Sequence, residues 1–411
     1  MKSILQGVKV LDMTRIIAGP ISTQTLADMG ATVYKIEKPG EGDDSRRMGP
    51  FMRDGGITAD MNPVASQESA TFMAYNRGKH SVTVDIASEE GADLIRRLAM
   101  HCDIVIENYK AGGLKKYGLD YESLRKLKPD LIYCSITGFG QTGPYAARPA
   151  YDFILQGMAG PMSTCGQPDG VPGATPMRTS IPITDITTGL YATIAMLGAL
   201  YHHRATGEGQ YIDTSLLDAA VSFNGHLAVG YLMTGKSPTR AGNTNPIAAP
   251  ADVYPCKDGY LIIASGNNGQ FKSLCQSLGV PQLAEDPEFA TNPMRIANRE
   301  KMQDVLLPAV LKYTKAELLQ KFEAAGVPSG PINSMEEVFA DPQTQHRKIE
   351  IDVPHSSGVN VKLVRNPLLF SETPIQHKAP PILGEHTDRV MMEELGLTRE
   401  QIEGLRARNI V

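Results

Sequence analysis

A long apolar helix is predicted by the segment TPMRTSIPITDITTGLYATIAMLGAL, residues 175–200. The chain turns at Thr184-Asp185 after a proline-punctuated run. Large apolar side chains then recur at helical spacing, at Ile186, Leu190, Ile194 and Leu197. Small residues fill the positions between them. The pattern therefore predicts a helix that is apolar nearly all round and should be buried inside a large domain.

An acidic residue, Asp185, begins this predicted helix. Aspartate is a preferred N-cap because its side chain accepts hydrogen bonds from the free N–H groups of the first turn, and a purely structural cap is one interpretation. The other is an ionised carboxylate, favoured by the same N–H groups and the helix dipole, that acts as a nucleophile. Gly189, a poor helix former, would let another backbone or a ligand come close. Spacing alone leaves both interpretations open.

The length of 411 residues exceeds what one hydrophobic core usually serves, which predicts two domains. A net charge of −5 and a hydrophobic content of 42% are ordinary for a soluble globular protein and give no nucleic-acid or membrane signal. The N-terminus has no long apolar run of the signal-peptide kind. The five cysteines are scattered without CxxC spacing, so we expect a cytoplasmic protein with reduced thiols and no metal site.

Strands and helices are predicted to alternate through the first half of the chain, with strands at 8–13, 31–37, 81–85, 104–107 and 131–137. This alternation predicts an α/β fold, a Rossmann-like doubly wound parallel sheet. Ligands bind such sheets beyond the carboxyl ends of the strands. The loops expected there are 14–20, 37–48, 108–117 and 138–152. The first of them lacks the glycine-rich fingerprint of dinucleotide sites, which argues against a nicotinamide or flavin cofactor.

The second half of the chain predicts a smaller α+β domain. We assign residues 1–205 to the large α/β domain, 225–325 to the small domain and 330–411 to a return to the large domain. Basic residues concentrate in the loops of the large domain, which favours a phosphate-bearing ligand there. They are Lys38, Arg46, Arg47, Arg77, Lys79, Lys110, Lys115, Lys116 and Arg148.

Short motifs run through almost the whole chain. They are GVKVLDMT (7–14), AGP (18–20), GATVYKIEKPGEGD (30–43), VIENY (105–109), YD (151–152), TDITTG (184–189), TGEGQ (206–210), GVPSGP (326–331) and LGEHT (383–387). Taken together they make the chain resemble the class III CoA-transferases, the family of formyl-CoA transferase and carnitine CoA-transferase. The resemblance implies that family's fold and its assembly, a homodimer of two interlocked subunits.

The resemblance also implies a covalent mechanism, because the family's nucleophile is the aspartate that stands here as Asp185. Attack on the donor thioester would give an aspartyl–acyl anhydride and CoA thiolate. The thiolate would then form an aspartyl-CoA thioester and release the donor acid, and an acceptor carboxylic acid would run the sequence in reverse. Coenzyme A and acyl-CoA are substrates in this scheme, and no permanently bound cofactor or metal is implied.

Coenzyme A contacts are implied at positions that match the family's motifs: Ile17, Ala18, Arg46, Asn108, Tyr109, Arg148 and Tyr151. Lys38 and Lys116 stand where formyl-CoA transferase has arginine, which keeps the charge but loses the planar stacking surface. The family's substrate-covering loop corresponds to Gly242, Asn243, Thr244, Asn245 and the residues up to 248. Its N–H groups are candidate donors to the oxyanion of the reaction. The loop lacks a run of glycines, so we do not expect the specificity of formyl-CoA transferase.

Two other functions stay open on the sequence. The α-methylacyl-CoA racemases share the fold and pair the aspartate with the histidine of a His-Asp motif. The corresponding dipeptide here is Tyr151-Asp152, and a tyrosine is a poor base near neutral pH. A non-catalytic module that binds CoA or a nucleotide is the second alternative.

For the transferase we expect succinyl-CoA as donor and a short dicarboxylate as acceptor. Residues 267–268 and 326–331 look closer to succinyl-CoA–dicarboxylate transferases than to formyl-CoA transferase.

Overall fold

The computed structural model describes residues 3–53, 56–58 and 68–411, which form two compact units. The first unit consists of Met1–Pro161, Thr179–Lys236 and Arg347–Val411, and the second of Met162–Arg178 and Ser237–His346. The domain edges predicted at 205, 225, 325 and 330 do not coincide with these bounds. The first unit extends beyond residue 205 because the next strand and the helix after it pack on its own long helix.

In chain order, residues 3–236 form β1 (Lys9–Asp12), α1 (Ala18–Asp28), β2 (Thr32–Glu37), β3 (Phe51–Arg53), β4 (Gly56–Thr58), α2 (Ala70–Tyr75), β5 (His80–Thr83), α3 (Glu89–Ala99), β6 (Ile104–Glu107), α4 (Tyr121–Leu127), β7 (Ile132–Thr137), α5 (Asp152–Met158), α6 (Pro161–Thr164), α7 (Ile183–Thr206), β8 (Tyr211–Ser215), α8 (Leu216–Phe223) and α9 (His226–Thr234). Residues 237–346 form β9 (Ala251–Cys256), β10 (Gly259–Ala264), α10 (Asn268–Ser277), α11 (Pro281–Glu285), α12 (Asn292–Ala297), α13 (Arg299–Val310), α14 (Lys315–Ala324), β11 (Ser329–Pro331), α15 (Met335–Ala340) and α16 (Pro342–His346). The remaining elements are β12 (Glu350–Pro354), β13 (Asn360–Val364), α17 (Thr387–Leu395) and α18 (Arg399–Ala407).

A parallel six-stranded sheet forms the centre of the first unit, in the order β5-β2-β1-β6-β7-β8. The sheet strands, numbered along the chain, lie in the order 3-2-1-4-5-6, as in a Rossmann-like doubly wound fold, and this confirms the predicted class. The strand order reverses between β1 and β6. Loops that leave the carboxyl ends of these two strands therefore meet at the position where such folds bind ligands.

Both faces of the sheet are buried, which is why its strands are apolar almost throughout. Successive residues of β1 point to opposite faces. Leu11 packs into a core that includes α3 and the C-terminal helices α17 and α18, whereas Val10 packs into a core that includes α1 and α7. The C-terminal segment thus completes one layer of the first unit.

The side of α7 that faces the core is not the one that the apolar spacing predicted. Leu190 and Ile194 are 48% and 64% exposed, whereas the buried face carries small residues such as Gly189 and Ala192. A Cβ atom at Gly189 would lie 2.4 Å from the carbonyl oxygen of Ala18, so the small side chains let α7 approach α1 closely. The large side chains consequently lie on the side of α7 that this chain leaves uncovered.

Among the described residues, only α7 is long and apolar enough to cross a membrane when judged by length and composition. Half of that apolar stretch is buried inside the protein.

The second unit is built on a three-stranded antiparallel sheet in the order β11-β10-β9. Helices α10, α13 and α14 cover it, and the core includes Tyr254, Leu261, Phe271, Leu306 and Phe322. This is an α+β arrangement.

Candidate active site

The loop that follows β1, residues 13–17, lies where the strand order of the sheet reverses. Asn108, directly after β6, holds this loop with both ends of its side-chain amide. Its Oδ1 accepts a hydrogen bond from Arg15 N at 2.8 Å, and its Nδ2 donates to Arg15 O at 2.8 Å. The Arg15 guanidinium lies 5.4 Å from the ring centroid of Tyr109 and pairs with Asp44 at 2.9 Å. The structure thus brings the predicted contacts Asn108 and Tyr109 to the loop that leads into α1.

Free N–H groups mark the start of α1. The helix begins at Ala18, and its N-cap residue Ile17 makes no capping hydrogen bond through its side chain. The N–H groups of Ile17, Ala18 and Gly19 have no hydrogen-bond partner within the described part of the chain. A helix N-terminus with unpaired N–H groups attracts negative charge. Ile17 and Ala18 therefore lie where an anionic or polarised ligand group would be stabilised.

Asp185 lies in the first turn of α7, two residues after the helix begins. The N-cap position is Pro182, and no side chain caps this helix, so the interpretation of Asp185 as a structural cap is wrong. Its carboxylate forms no hydrogen bond or ion pair with any residue that the structure describes. The carboxylate is half-buried. Burial, and secondarily the negative charge of Asp152, raise the pKa of Asp185 to about 7.

Asp152, the first residue of α5, connects this helix to the start of α7. Its Oδ1 accepts hydrogen bonds from Thr184 N at 2.8 Å and from Thr184 Oγ1 at 2.6 Å, and its Oδ2 accepts one from Gln156 Nε2 at 2.7 Å. The side chain is buried, and both of its oxygens accept hydrogen bonds from the protein. These contacts tie Asp152 to the junction of α5 and α7, which favours a structural role over that of a racemase's second base, and the neighbouring Tyr151 is 69% exposed.

Tyr75, the last residue of α2, also lies close to Asp185. Burial, and then the charge of Asp185, raise the pKa of the Tyr75 phenol. Nothing in the sequence predicted this neighbour, because α2 and α7 are separated by more than a hundred residues and Tyr75 lies in none of the motifs.

Gly189 fixes the position of the first turns of α7 against α1. A Cβ atom there would lie 2.3 Å from Cγ2 of Ile21 as well as 2.4 Å from the Ala18 carbonyl oxygen, so only glycine fits. The expectation that another backbone approaches Gly189 is confirmed. The first turn of α7, which carries Asp185, thus lies beside the start of α1.

Four of the predicted coenzyme A contacts are exposed and accessible to a ligand. Lys38 pairs with Glu41, and Lys116 lies 4.6 Å from the ring centroid of Tyr117. The Arg148 guanidinium stacks 3.7 Å from the ring centroid of Tyr145. The fourth, Tyr151, precedes α5.

Arg46 requires a correction, because its side chain is fully buried and cannot reach a ligand. Its guanidinium binds both carboxylate oxygens of Glu37, at 2.7 and 2.9 Å, and lies 3.5 Å from the ring centroid of Phe72. A buried carboxylate at the end of β2 needs such a partner, since an unpaired charge there would be strongly destabilising. Arg46 therefore organises the loop after β2 instead of binding coenzyme A.

The predicted substrate loop, Gly242 to Asn245, belongs to the second unit. Gly242 has a φ of +62° and donates from its N–H to Gly166 O at 3.0 Å. Thr244 Oγ1 donates to Asp252, and Arg299 donates to Asn245 O at 2.7 Å. Gly242, Asn243 and Asn245 are exposed, so the loop presents its tip to solvent while its base is anchored within the unit.

A cavity of about 220 Å³ lies elsewhere on the first unit, between α2 and β13. Its lining includes Glu68, Met73 and Arg77, and it contains neither Asp185 nor any predicted coenzyme contact. Arg77 is bound there to Asp28 at 2.6 Å. Across the described residues, no group of three or more His, Cys, Asp and Glu side chains could hold a metal ion.

Comparison with known proteins matches the chain to one family. The sequence model of CoA-transferase family III matches residues 5–387. The chain is 46% identical over 393 residues to succinate–glutarate CoA-transferase of Agrobacterium fabrum, which covers 95% of this chain and 96% of the relative. It is 37% identical over 408 residues to succinyl-CoA:glutarate CoA-transferase of Mus musculus, with 99% and 90% covered. The crystal structure of a CAIB/BAIF family protein from Brucella suis superimposes with a TM-score of 0.84 at 44% identity, covering 96% of this chain and all of that one.

Proposed function

The chain belongs to CoA-transferase family III, and on this premise we propose that it transfers coenzyme A between carboxylic acids through a covalent intermediate on Asp185. Family membership makes the chain an enzyme that uses CoA thioesters, and the alternative of a non-catalytic module is set aside. The nucleophile, the acid pair and the oligomeric state are the parts that we propose.

The observation that carries the proposal is that the carboxylate of Asp185 has no hydrogen-bond or ion-pair partner among the described residues. Among the described residues, nothing pairs with it, although it is half-buried in the first turn of a core helix. Leaving a carboxylate in this state costs stability, because a buried charged group is normally paired. A group kept in such surroundings is a candidate for chemistry, and a raised pKa makes the ionised carboxylate a stronger nucleophile.

The reaction then proceeds through two acyl exchanges without a net proton transfer. An oxygen of Asp185 attacks the thioester carbonyl carbon, the C–S bond breaks, and CoA leaves as thiolate. The thiolate attacks the Asp185 carbonyl carbon of the anhydride and displaces the donor carboxylate, which leaves an aspartyl-CoA thioester. The acceptor carboxylate repeats both steps in reverse and restores Asp185.

Each attack places negative charge on a carbonyl oxygen. The free N–H groups of Ile17, Ala18 and Gly19 support this step, because the packing of Gly189 on Ala18 places the start of α1 beside the first turn of α7. Backbone donors aimed at a developing oxyanion are typically worth a few kcal/mol each in the transition state. The loop at Gly242–Asn245 stays a further candidate for this role.

The test of the nucleophile is Asp185→Ala. We expect the variant to lose CoA exchange between acids while it retains binding of free coenzyme A. Hydroxylamine added to the wild-type enzyme after the donor acyl-CoA should convert Asp185 into its hydroxamate, which peptide mass spectrometry detects. A matched control is Asp388→Ala, which removes an acid in the first turn of α17 that pairs with Arg406. Normal exchange by Asp185→Ala would refute the proposal.

We propose succinyl-CoA as donor and a short dicarboxylate, such as glutarate, as acceptor. Support comes from the two relatives described above, whose names specify succinate or succinyl-CoA together with glutarate. The test is a matrix of succinyl-CoA, glutaryl-CoA and acetyl-CoA against succinate, glutarate and propionate. The highest kcat/KM should fall on pairs in which both acids are dicarboxylates. Equal rates with propionate would exclude this specificity.

We also propose that the enzyme is a homodimer of interlocked subunits. Large apolar side chains of the first unit are exposed on α5, α7, α8 and α9: Ile154, Ile194, Tyr201, Phe223, Leu232 and Met233. Tyr201, Leu232 and Met233 are each about four-fifths exposed, which is unusual for side chains of this kind on a soluble monomer. A second copy of the chain would cover them.

A further inference from the structure

The backbone at Ile16 adopts a conformation that its side chain disfavours. Ile16 has a φ of +73°, within the left-handed region that β-branched residues rarely enter. Such an outlier persists only where the surroundings hold it, and strained residues of this kind concentrate at ligand sites. The residue immediately precedes Ile17, whose N–H is the first of the unpaired donors at the start of α1.

Asp43 is the residue that holds Ile16 in place. Its Oδ1 accepts a hydrogen bond from Ile16 N at 3.1 Å, and its Oδ2 pairs with Lys35 Nζ at 2.8 Å. Lys35 Nζ also donates to Thr14 O at 2.8 Å. The ion pair therefore binds the loop at two residues, Thr14 and Ile16. Both charged side chains are fully buried, and Asp43 is further oriented by hydrogen bonds from Ser45.

The ion pair between Asp43 and Lys35 is attached to the sheet, and this fixes the position of the loop at residues 14–16. Lys35 belongs to β2, next to β1, and the N–H of Asp43 donates to Glu37 at the end of the same strand at 2.9 Å. Because Asn108 holds Arg15 from the other side, side chains rather than backbone partners determine the path of residues 14–16. An arrangement that uses a buried ion pair to hold one strained residue is costly unless position matters there.

We infer that Asp43 is a positioning residue for the acyl-CoA: it holds Ile16 in the left-handed conformation that places the free N–H groups of α1 beside α7. The inference rests on the proposed binding of the thioester at the start of α1. Asp43 itself does not touch the reacting atoms. Its loss should therefore weaken binding of the acyl-CoA and the stabilisation of the oxyanion without changing the order of the chemical steps.

A double-mutant cycle between Asp43 and Ile16 tests the inference. Asp43→Asn removes the charge that holds Lys35 and should raise KM for the acyl-CoA about tenfold, since small displacements of a binding group have effects of this size or more. Glycine adopts positive φ without strain, so the double variant Asp43→Asn/Ile16→Gly should recover most of that loss. Additive effects in the cycle would mean that Asp43 does not act through Ile16.

Ile16→Pro makes the same test with the buried ion pair intact. Proline cannot adopt positive φ and has no N–H to donate to Asp43, so KM should rise at least about tenfold, together with some loss of thermal stability. The control is Asp28→Asn, which breaks a buried pair with Arg77 at the far end of α1 and should lower the melting temperature without changing KM.

If Ile16→Pro keeps KM within about twofold of wild type, the inference is overturned even where Asp43→Asn does not fold. Failure of the proposed nucleophile is a separate result, because it would appear as activity in Asp185→Ala.

Discussion

A carboxylate that attacks a thioester must be ionised, and the surroundings of Asp185 oppose ionisation. Burial disfavours the charged form, and Asp152 adds a second negative charge nearby, so the pKa of Asp185 is raised to about 7. The sequence predicted the reverse, an ionised group stabilised by the helix N-terminus. The proposed nucleophile is consequently a carboxylate that is more basic than usual and that titrates near neutral pH.

The pH dependence of the reaction should report this titration. Because only the ionised carboxylate attacks, kcat/KM should rise with pH through about 7. Asp152→Asn keeps an oxygen that accepts from Thr184 and removes the negative charge, which lowers the pKa of Asp185. The acid limb should move to lower pH by on the order of one unit. The control Asp388→Asn should leave the profile unchanged, and an unshifted limb in Asp152→Asn would contradict the assignment of Asp152 as the perturbing charge.

At the scale of elements, the two sides of α7 differ in the size and in the exposure of their side chains. One side carries glycine and alanine and packs against α1, whereas the other carries leucine, isoleucine and tyrosine and is exposed. The close approach of α7 to α1 brings the candidate nucleophile and the free N–H groups together. The packing of the two helices is therefore one determinant of the geometry of the site.

Gly189→Ala should disrupt this helix pair. The new methyl group would meet the Ala18 carbonyl oxygen at 2.4 Å, and a backbone atom cannot move aside as a flexible side chain can. Overpacking of this kind typically costs about 1–3 kcal/mol, and KM for the acyl-CoA should rise because the start of α1 shifts. Thermal unfolding and steady-state kinetics measure the two effects.

Gly404→Ala in α18 is the matched control for Gly189→Ala. Only a flexible arginine tip, at 3.8 Å, is near the new methyl group, and we expect a gain of about 0.5–1 kcal/mol because alanine favours a helix interior. Wild-type stability and KM in Gly189→Ala would show that the helix contact is looser than described.

At the scale of the whole molecule, the exposed apolar side of α7 is the surface that the proposed second subunit would cover. The cost of exposing these side chains to water scales with their apolar area, at about 25 cal/mol per Å². This term favours an association that covers them.

We expect a dimer by sedimentation at all concentrations down to about 10 nM, as for an obligate dimer. If the subunits are interlocked, two differently tagged populations should not exchange subunits over days in native buffer, and mixed dimers should form only after joint unfolding and refolding. Refolding thus serves as the positive control. A monomer at micromolar concentration would contradict the dimer, and fast exchange would contradict interlocking alone.

The local pattern of the sequence determined the fold class and pointed to the candidate nucleophile. The strand at 104–107 and the helix after Pro182 are examples. Both are encoded by the spacing of apolar residues and by turn residues close to them in the chain. The motif TDITTG pointed to Asp185, and the ends of the predicted strands pointed to Asn108 and Tyr109. All of these are properties of short segments, so a single sequence contains them.

Only the tertiary structure decided which surfaces and charges meet. It paired Arg46 with Glu37 in the core and exposed the large apolar side chains of α7. It also placed Asp43 within hydrogen-bond distance of Ile16 N. The partners of these residues lie on other elements, or, for the outward side of α7, outside this chain. Burial and electrostatic free energy depend on distances in space, and residues that are close in space are often far apart in the sequence. That is why the periodicity of α7 predicted a helix correctly but not the side that it buries.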